Sequence, residues 1–155
     1  MFLLLIFKVV GKMSYELLHL ATEDEYRAKY IEVYCNFSKL IVTFDGITVK
    51  FFPDMFEHAF FESRNWKLSD KSIFSSVRAE RMLWIKDTLT DPTALLYQGW
   101  DKIEKKYKNR NRVAVVKDDY VVVIWLQSKT TAKFITAYKA DNSIGKIQAG
   151  PAWIP

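Results

Sequence analysis

One cysteine, Cys35, and two histidines, His19 and His58, are all that 155 residues offer of the common soft metal ligands. A lone thiol forms no internal disulfide, and no multi-cysteine zinc or iron–sulfur site can be assembled from it. The histidines fall on different elements with no HExxH spacing, which also excludes a His-rich metal centre. Glycine and proline are scarce, 5 and 4, so collagen-like and linker-like chains are excluded. No glycine-rich phosphate loop, GxSxG elbow or kinase signature occurs. The apolar run at the N-terminus, Met1–Phe7, stops at Lys8, far short of the ~20 residues of a membrane span. It has no basic region before it and no small-residue cleavage site after it, so a secretory signal is not expected.

What is present fits one globular domain. Half of the residues are hydrophobic and 26% are charged, too apolar for a disordered chain. Aromatic residues reach 15%, a high share that promises a ring-rich core. Lys and Arg number 23 against 18 acids, a formal charge of +5. That balance permits a polyanionic partner without requiring one. Residues 1–12 read either as an N-terminal strand or as an extension upstream of a start at Met13, the second being preferred. The domain is then expected over 13–142, with 143–155 as a tail.

The pattern of elements points to an α+β fold, with N-terminal helices packed on a compact antiparallel β-sheet. Thr22 with Glu25 three residues on is a capping box, and Tyr26, Tyr30, Val33 and Tyr34 recur as one buried helical face. Cys35 is expected inside that helix, as core. Asp45-Gly46 between Leu40–Phe44 and Ile47–Phe52 spells a tight hairpin in which both turn residues tolerate positive φ. Pro53 opens a short helix over Met55–Glu62, with Phe56, Ala59 and Phe60 inward. After a polar stretch from Ser63 to Ser69, a second long helix is expected over Ser72–Leu89, ended by Asp91-Pro92. Leu95–Gly99 reads as a short strand. Arg112–Lys117, Tyr120–Gln127 and Ala132–Tyr138 follow as three strands, the first two joined at Asp118-Asp119. Tyr120–Leu126 does not alternate, so both its faces are covered and it is central. Ser143–Pro155 reads as a surface wrap.

Several residues could carry chemistry. His58 is a general acid or base if it faces a cleft, since imidazole titrates near neutrality; otherwise it is a hydrogen-bonded histidine beside the core. Arg78 lies on a stripe with Met82, Ile85 and Leu89, and is drawn towards the interior or a cleft. Arg81 shares a neighbouring stripe with Val77 and Trp84. Such guanidiniums hold a bound anion, or else a surface partner such as Glu80. Thr136 and Tyr138 are expected to share a strand face with Phe134, as ordinary packing or as two hydroxyls aimed into a basic cleft. Lys102, Lys105, Lys106, Lys108, Arg110 and Arg112, interleaved with Trp100 and Tyr107, form either a solvated face or a phosphate-binding rim with stacking rings.

Four pieces, in order, carry a resemblance. They are Phe56-Glu57-His58-Ala59-Phe60; Arg78-Ala79-Glu80-Arg81 ahead of Leu83-Trp84-Ile85; Asp91-Pro92; and Phe134-Ile135-Thr136-Ala137-Tyr138. Over about Thr43 to Asn142 the chain resembles the phage and polymorphic-toxin nucleases of the barnase–EndoU–colicin–RelE class. The resemblance implies helices before an antiparallel sheet and metal-independent RNA cleavage, with no cofactor. It implies His58 as acid or base, Arg78 and Arg81 as phosphate clamp, and Thr136 and Tyr138 at the scissile phosphate. RNA, tRNA among it, would be the partner, held by Lys86, Lys105, Lys106, Lys108, Arg110 and Arg112. An antitoxin or immunity protein is a further expected partner, a membrane is not, and the setting would be a bacterial or phage-infected cytoplasm. The rival expectation is a non-catalytic module that holds RNA or a phage structural partner in the same basic groove.

Overall fold

The computed structural model describes residues 15–64, 71–101, 104–141 and 143–154. The N-terminal extension, Lys102 and most of the polar stretch after Ser63 lie outside the described residues.

The chain runs α1 (Glu23–Tyr34), β1 (Ile41–Val42), β2 (Thr48–Lys50), α2 (Met55–Phe60), β3 (Phe61–Glu62), β4 (Ile73–Phe74), α3 (Ser76–Ala79), α4 (Trp84–Thr90), β5 (Leu95–Asp101), β6 (Lys106–Lys117), β7 (Tyr120–Leu126), β8 (Thr131–Lys139) and α5 (Ile144–Gln148). β1-β2-β8-β7-β6-β5 form one six-stranded sheet, and β3 and β4 a two-stranded one. The class is α+β, with helices packed on a sheet.

The large sheet is mixed rather than wholly antiparallel. β2 pairs parallel with β8, aligning Val49 with Ala132, whereas β5 to β8 are antiparallel throughout. Alternation fixes which side chains of β2 point inward, and Ile47, Val49 and Phe51 are all buried. It carries no information on strand direction, so the parallel pairing had no local signature. β7 is central as expected, flanked by β6 and β8, and both its faces are buried.

α1 starts at the expected capping box: the Thr22 hydroxyl accepts from Glu25 N–H, and Glu25 accepts from Thr22 N–H. Tyr26, Tyr30 and Tyr34, four apart, are buried against Phe51, Phe56, Phe60 and Phe74 in the larger core. Cys35 is the half-buried C-cap rather than an interior helical residue. The hairpin at Asp45-Gly46 forms, but only Gly46 has positive φ, 90°. Thr43 N–H donates to Ile47 O, so the loop is longer than a two-residue turn.

The expected long helix over Ser72–Leu89 is broken in two places. Ile73–Phe74 pair with β3, and Ser75 caps α3 by accepting from Arg78 N–H. Between α3 and α4 the carbonyls of three successive residues are claimed by distant donors. Leu18 N–H takes Glu80 O, the Tyr120 hydroxyl takes Arg81 O, and the Tyr34 hydroxyl takes Met82 O. Arg81 O and Met82 O also accept from Trp84 N–H and Ile85 N–H, so the helical ladder gives way to tight turns that share their carbonyls with tertiary donors before α4 resumes. Asp91-Pro92 does end α4.

Two apolar clusters sit on opposite faces of the sheet. The larger lies under α1, α2, α3 and α4, around Tyr30, Phe56, Phe60, Met82, Ile85, Leu89 and Phe134. The smaller gathers Ala114, Val116, Val121, Val123 and Ala140 under Ile144 and Ile147 of α5. The segment after 142 is therefore more than a surface wrap. Trp153 enters the larger core, and Gln98 N–H to Pro151 O and Trp153 N–H to Leu96 O tie the chain to the free edge of β5. That pairing blunts an edge that would otherwise invite association.

Candidate active site

The site is set by an irregularity in β8. Thr136 pairs with Val123 and Phe134 with Ile124, so Ile135 is an extra residue in β8. Such a bulge changes which side chains share a face. Tyr138 joins the smaller cluster beside Val121 and Val123, whereas Phe134 and Ala137 point into the larger core. The expectation that Thr136 and Tyr138 share a face with Phe134 is corrected by this one residue. Thr136 Oγ1 is buried and makes no hydrogen bond among the described residues. Burial pushes the Tyr138 phenol above its ordinary value, and the charges of Arg112 and Arg78 only partly oppose this. A phenol is protonated at neutral pH even without this shift, so Tyr138 is a hydrogen-bond donor there.

Arg78 joins three elements. Its Nη1 donates to Ala59 O of α2 at 3.3 Å, its Nε lies 3.5 Å from Glu62 Oε1, and its guanidinium carbon stands 5.7 Å from the Tyr138 ring centre. That is cation–π distance. The pairing of β2 with β8 ends at Lys133, and α2 and α3 contact β8. His58 is one residue before Ala59. It stands exposed on α2, whose Phe56, Ala59 and Phe60 are fully buried. The His58-bearing helix and the Tyr138-bearing strand are thus linked through one guanidinium.

Arg81 is placed differently. Its Nη1 donates to Glu80 Oε1 at 2.9 Å and to Val77 O at 2.7 Å, and its guanidinium stacks 5.1 Å from Trp84. This is the Glu80 partnership, so of the two arginines it is Arg78 that reaches Tyr138.

A groove of about 570 Å³ opens on the sheet face opposite α1 to α4, beside α5. Gly99, Ala114 and Val123 form its floor; Tyr107, Arg112 and Tyr138 stand along the strands; Ser143, Lys146 and Ile147 close it from the α5 side, with Gln98 at one end. Arg112 shares the groove face with Ala114 by strand alternation, and it lies beside a register shift of β6 against β5: Gln98 pairs with Val113 but Gly99 with Lys108. Four residues of β6, 109–112, are therefore extra. Arg112, Tyr107 and Tyr138 were legible as candidates, whereas Gln98, Ser143 and Lys146 were not. The only signal for the last two was the apolar pair Ile144 and Ile147, spaced for one face of a short helix.

The other basic candidates are dispersed. Lys86 lies on α4, in the helical layer across the sheet from the groove, and its N–H donates to the Tyr34 hydroxyl. Lys105, with φ 52°, and Lys106 are exposed just before and at the start of β6, and Lys106 pairs with Glu104 at 3.2 Å. Lys108 and Arg110 lie on β6, Lys108 backbone-paired with Gly99 at the groove floor. Among the described residues, no group of three or more His, Cys, Asp or Glu is placed to hold a metal, and no helix is long and apolar enough to cross a membrane. No protein family, curated protein or solved structure matches the chain.

Proposed function

We propose that the protein is a metal-independent endoribonuclease in which the 2′-hydroxyl of RNA attacks the adjacent phosphorus. The observation that carries this reading is Arg78, whose guanidinium bridges Ala59 O, next to His58, and the Tyr138 ring. Such a reaction needs a group that moves protons, fixed positive charge on the phosphate, and hydrogen-bond donors at the developing oxyanion. His58 would move the protons. Arg78 is charged at any physiological pH and offers a planar fork to phosphate oxygens. Tyr138, protonated at neutral pH like any ordinary phenol, would donate from the sheet. The Thr136 hydroxyl, buried with no hydrogen-bond partner among the described residues, would be a second donor once a local shift exposed it to a phosphate oxygen. Arg112 extends the positive field along the groove, with Lys106, Lys108 and Arg110 on the strand that leads to it and Lys105 just before that strand. Arg81 supports the fold around Arg78 rather than the phosphate. The RNA such an enzyme meets is cytoplasmic, tRNA being an accessible class, and an antitoxin or immunity protein is the partner that would restrain it.

One observation favours a second reading, a non-catalytic RNA-binding module. The groove lining combines cations, aromatics and neutral polar groups with Gly99, Ala114, Val123 and Ile147, and neither His58 nor any carboxylate is among them. Incubation of tRNA and messenger RNA with wild-type and His58→Ala protein separates the two. Cleavage by the wild type that falls by about 10²-fold or more in the variant supports the nuclease. Binding of RNA without cleavage by either protein establishes the module.

A further inference from the structure

The groove under α5 has the composition of a nucleotide subsite. It is lined by two cations, Arg112 and Lys146, and two phenol rings, Tyr107 and Tyr138. Its volume of about 570 Å³ lies within the roughly 300–1,000 Å³ of small-ligand sites. It is also a built site. The chain beyond α5 is pinned by Gln98 N–H to Pro151 O and by the Tyr97–Ala152 bridge, and Ile144 and Ile147 of α5 pack on the smaller cluster. Tyr107 is positioned from the same segment: a Cβ on Gly150 would stand 3.3 Å from its ring. Tyr107 is nevertheless 39% exposed as a residue, so it has surface to offer a ligand. The floor stays open at Ala114, whose side chain is a single methyl, while the space over Gly99 is taken by the Arg112 stem.

Resting on the RNA reading above, we propose that this groove holds one unstacked nucleotide of single-stranded RNA, its base stacked on Tyr107 and its phosphate clamped between Arg112 and Lys146. Single-stranded RNA is the class that offers a splayed base to an aromatic side chain, and a duplex does not. Stacking on an aromatic ring tolerates all four bases, whereas the cations need the backbone phosphate. Gln98 Nε2 donates to Ala152 O at 3.2 Å, which fixes its amide at the end of the groove where a base edge would lie. Lys146 thereby acquires a role as a phosphate-binding residue contributed by the C-terminal segment.

The test reads binding rather than cleavage. The probe is a fluorescent 2′-O-methyl single-stranded RNA oligomer, which has no 2′-hydroxyl to attack, titrated into the full chain at several salt concentrations. Tyr107→Ala should raise Kd about tenfold. Lys146→Ala should raise Kd severalfold and reduce the slope of log Kd against log salt by about one, while Lys146→Arg restores both. Lys29→Ala on α1, whose lysine pairs with Glu32, should change neither. Matching thermal melts exclude misfolding, and Lys146 is exposed enough to be changed without touching the core. No binding by the wild type, or unchanged Kd and salt slope in both groove variants, overturns the subsite. The nuclease reading fails separately: groove variants that weaken binding of a protein that cleaves no RNA leave the subsite standing and remove the enzyme.

Discussion

Gly99 and Arg112 face each other across the register shift of β5 and β6, so closely that a Cβ on Gly99 would stand 2.3 Å from Arg112 Cγ. The arginine stem occupies the space that any other residue at 99 would need. Arg112 is therefore aimed into the groove by an absence of side chain on the neighbouring strand. Gly99→Ala should displace the guanidinium while leaving its charge on the chain. RNA affinity should fall severalfold, to about the level of Arg112→Ala, at a cost in stability of about 1–3 kcal/mol from overpacking. An equilibrium titration with thermal melts checks this. Wild-type affinity in Gly99→Ala beside weakened Arg112→Ala would show that the placement of Arg112 is not set by Gly99.

Arg78 and Arg81 differ by three positions in sequence and should differ in kind when removed. Arg78→Ala should lower turnover per folded molecule by about 10²-fold, because on the proposed reading its charge meets the phosphate beside Tyr138, and should also cost about 1–2 kcal/mol through its bonds to Ala59 O and Glu62. Arg81→Ala should destabilise the fold by about 1–2 kcal/mol, through loss of its bonds to Glu80 and Val77, and leave turnover per folded molecule nearly intact. Single-turnover cleavage measured with denaturant unfolding separates the two. The reverse pattern would move the phosphate clamp to Arg81.

Asp91 gives the fold an acid limit. Burial would raise its carboxyl, but hydrogen bonds from the Thr93 hydroxyl and N–H and from the Tyr15 phenol, with the Lys117 charge, hold it below its ordinary value. A lowered folded-state value contributes stability that is full above the unfolded value of about 3.9 and is lost as pH falls through the folded one. Unfolding free energy should therefore drop below about pH 4, and Asp91→Asn should flatten that drop while lowering stability at neutral pH. Asp87 is pushed up by burial and works in the opposite sense. Its contribution is present at low pH and lost as pH rises, so Asp87→Asn should steepen the acid limb. Urea titrations from pH 2 to 7 check both signs.

The parts of the fold that were legible in sequence are those decided by neighbours in the chain. The capping box at Thr22, the turn at Gly46, the stop at Pro92, the hairpin at Asp118-Asp119 and the doubly covered Tyr120–Leu126 strand all rest on local chemistry. The parts that were not legible are decided at a distance. The helix break at Glu80–Met82 shares its carbonyls with donors from Leu18, Tyr34 and Tyr120. The direction of β2 depends on where β8 arrives, eighty residues later in round terms. The bulge at Ile135 reverses the face shared by Thr136 and Phe134, although the strand itself reads as a plain alternation. The same holds for the site. Tyr138, Arg78 and Arg112 announced themselves by residue type, but their meeting depends on the bulge, the cap at Ser75 and the register shift at Gly99.

The central claim is that RNA is cleaved by its own 2′-hydroxyl on this protein without a metal. Its most direct test is the chemistry of the product ends, after purified full-length protein is incubated with tRNA in excess EDTA. The expected result is cleavage undiminished by the chelator, with 2′,3′-cyclic phosphate on the upstream fragment and 5′-hydroxyl on the downstream one. Loss of all cleavage on chelation, or products carrying 5′-phosphate and 3′-hydroxyl ends, would contradict it.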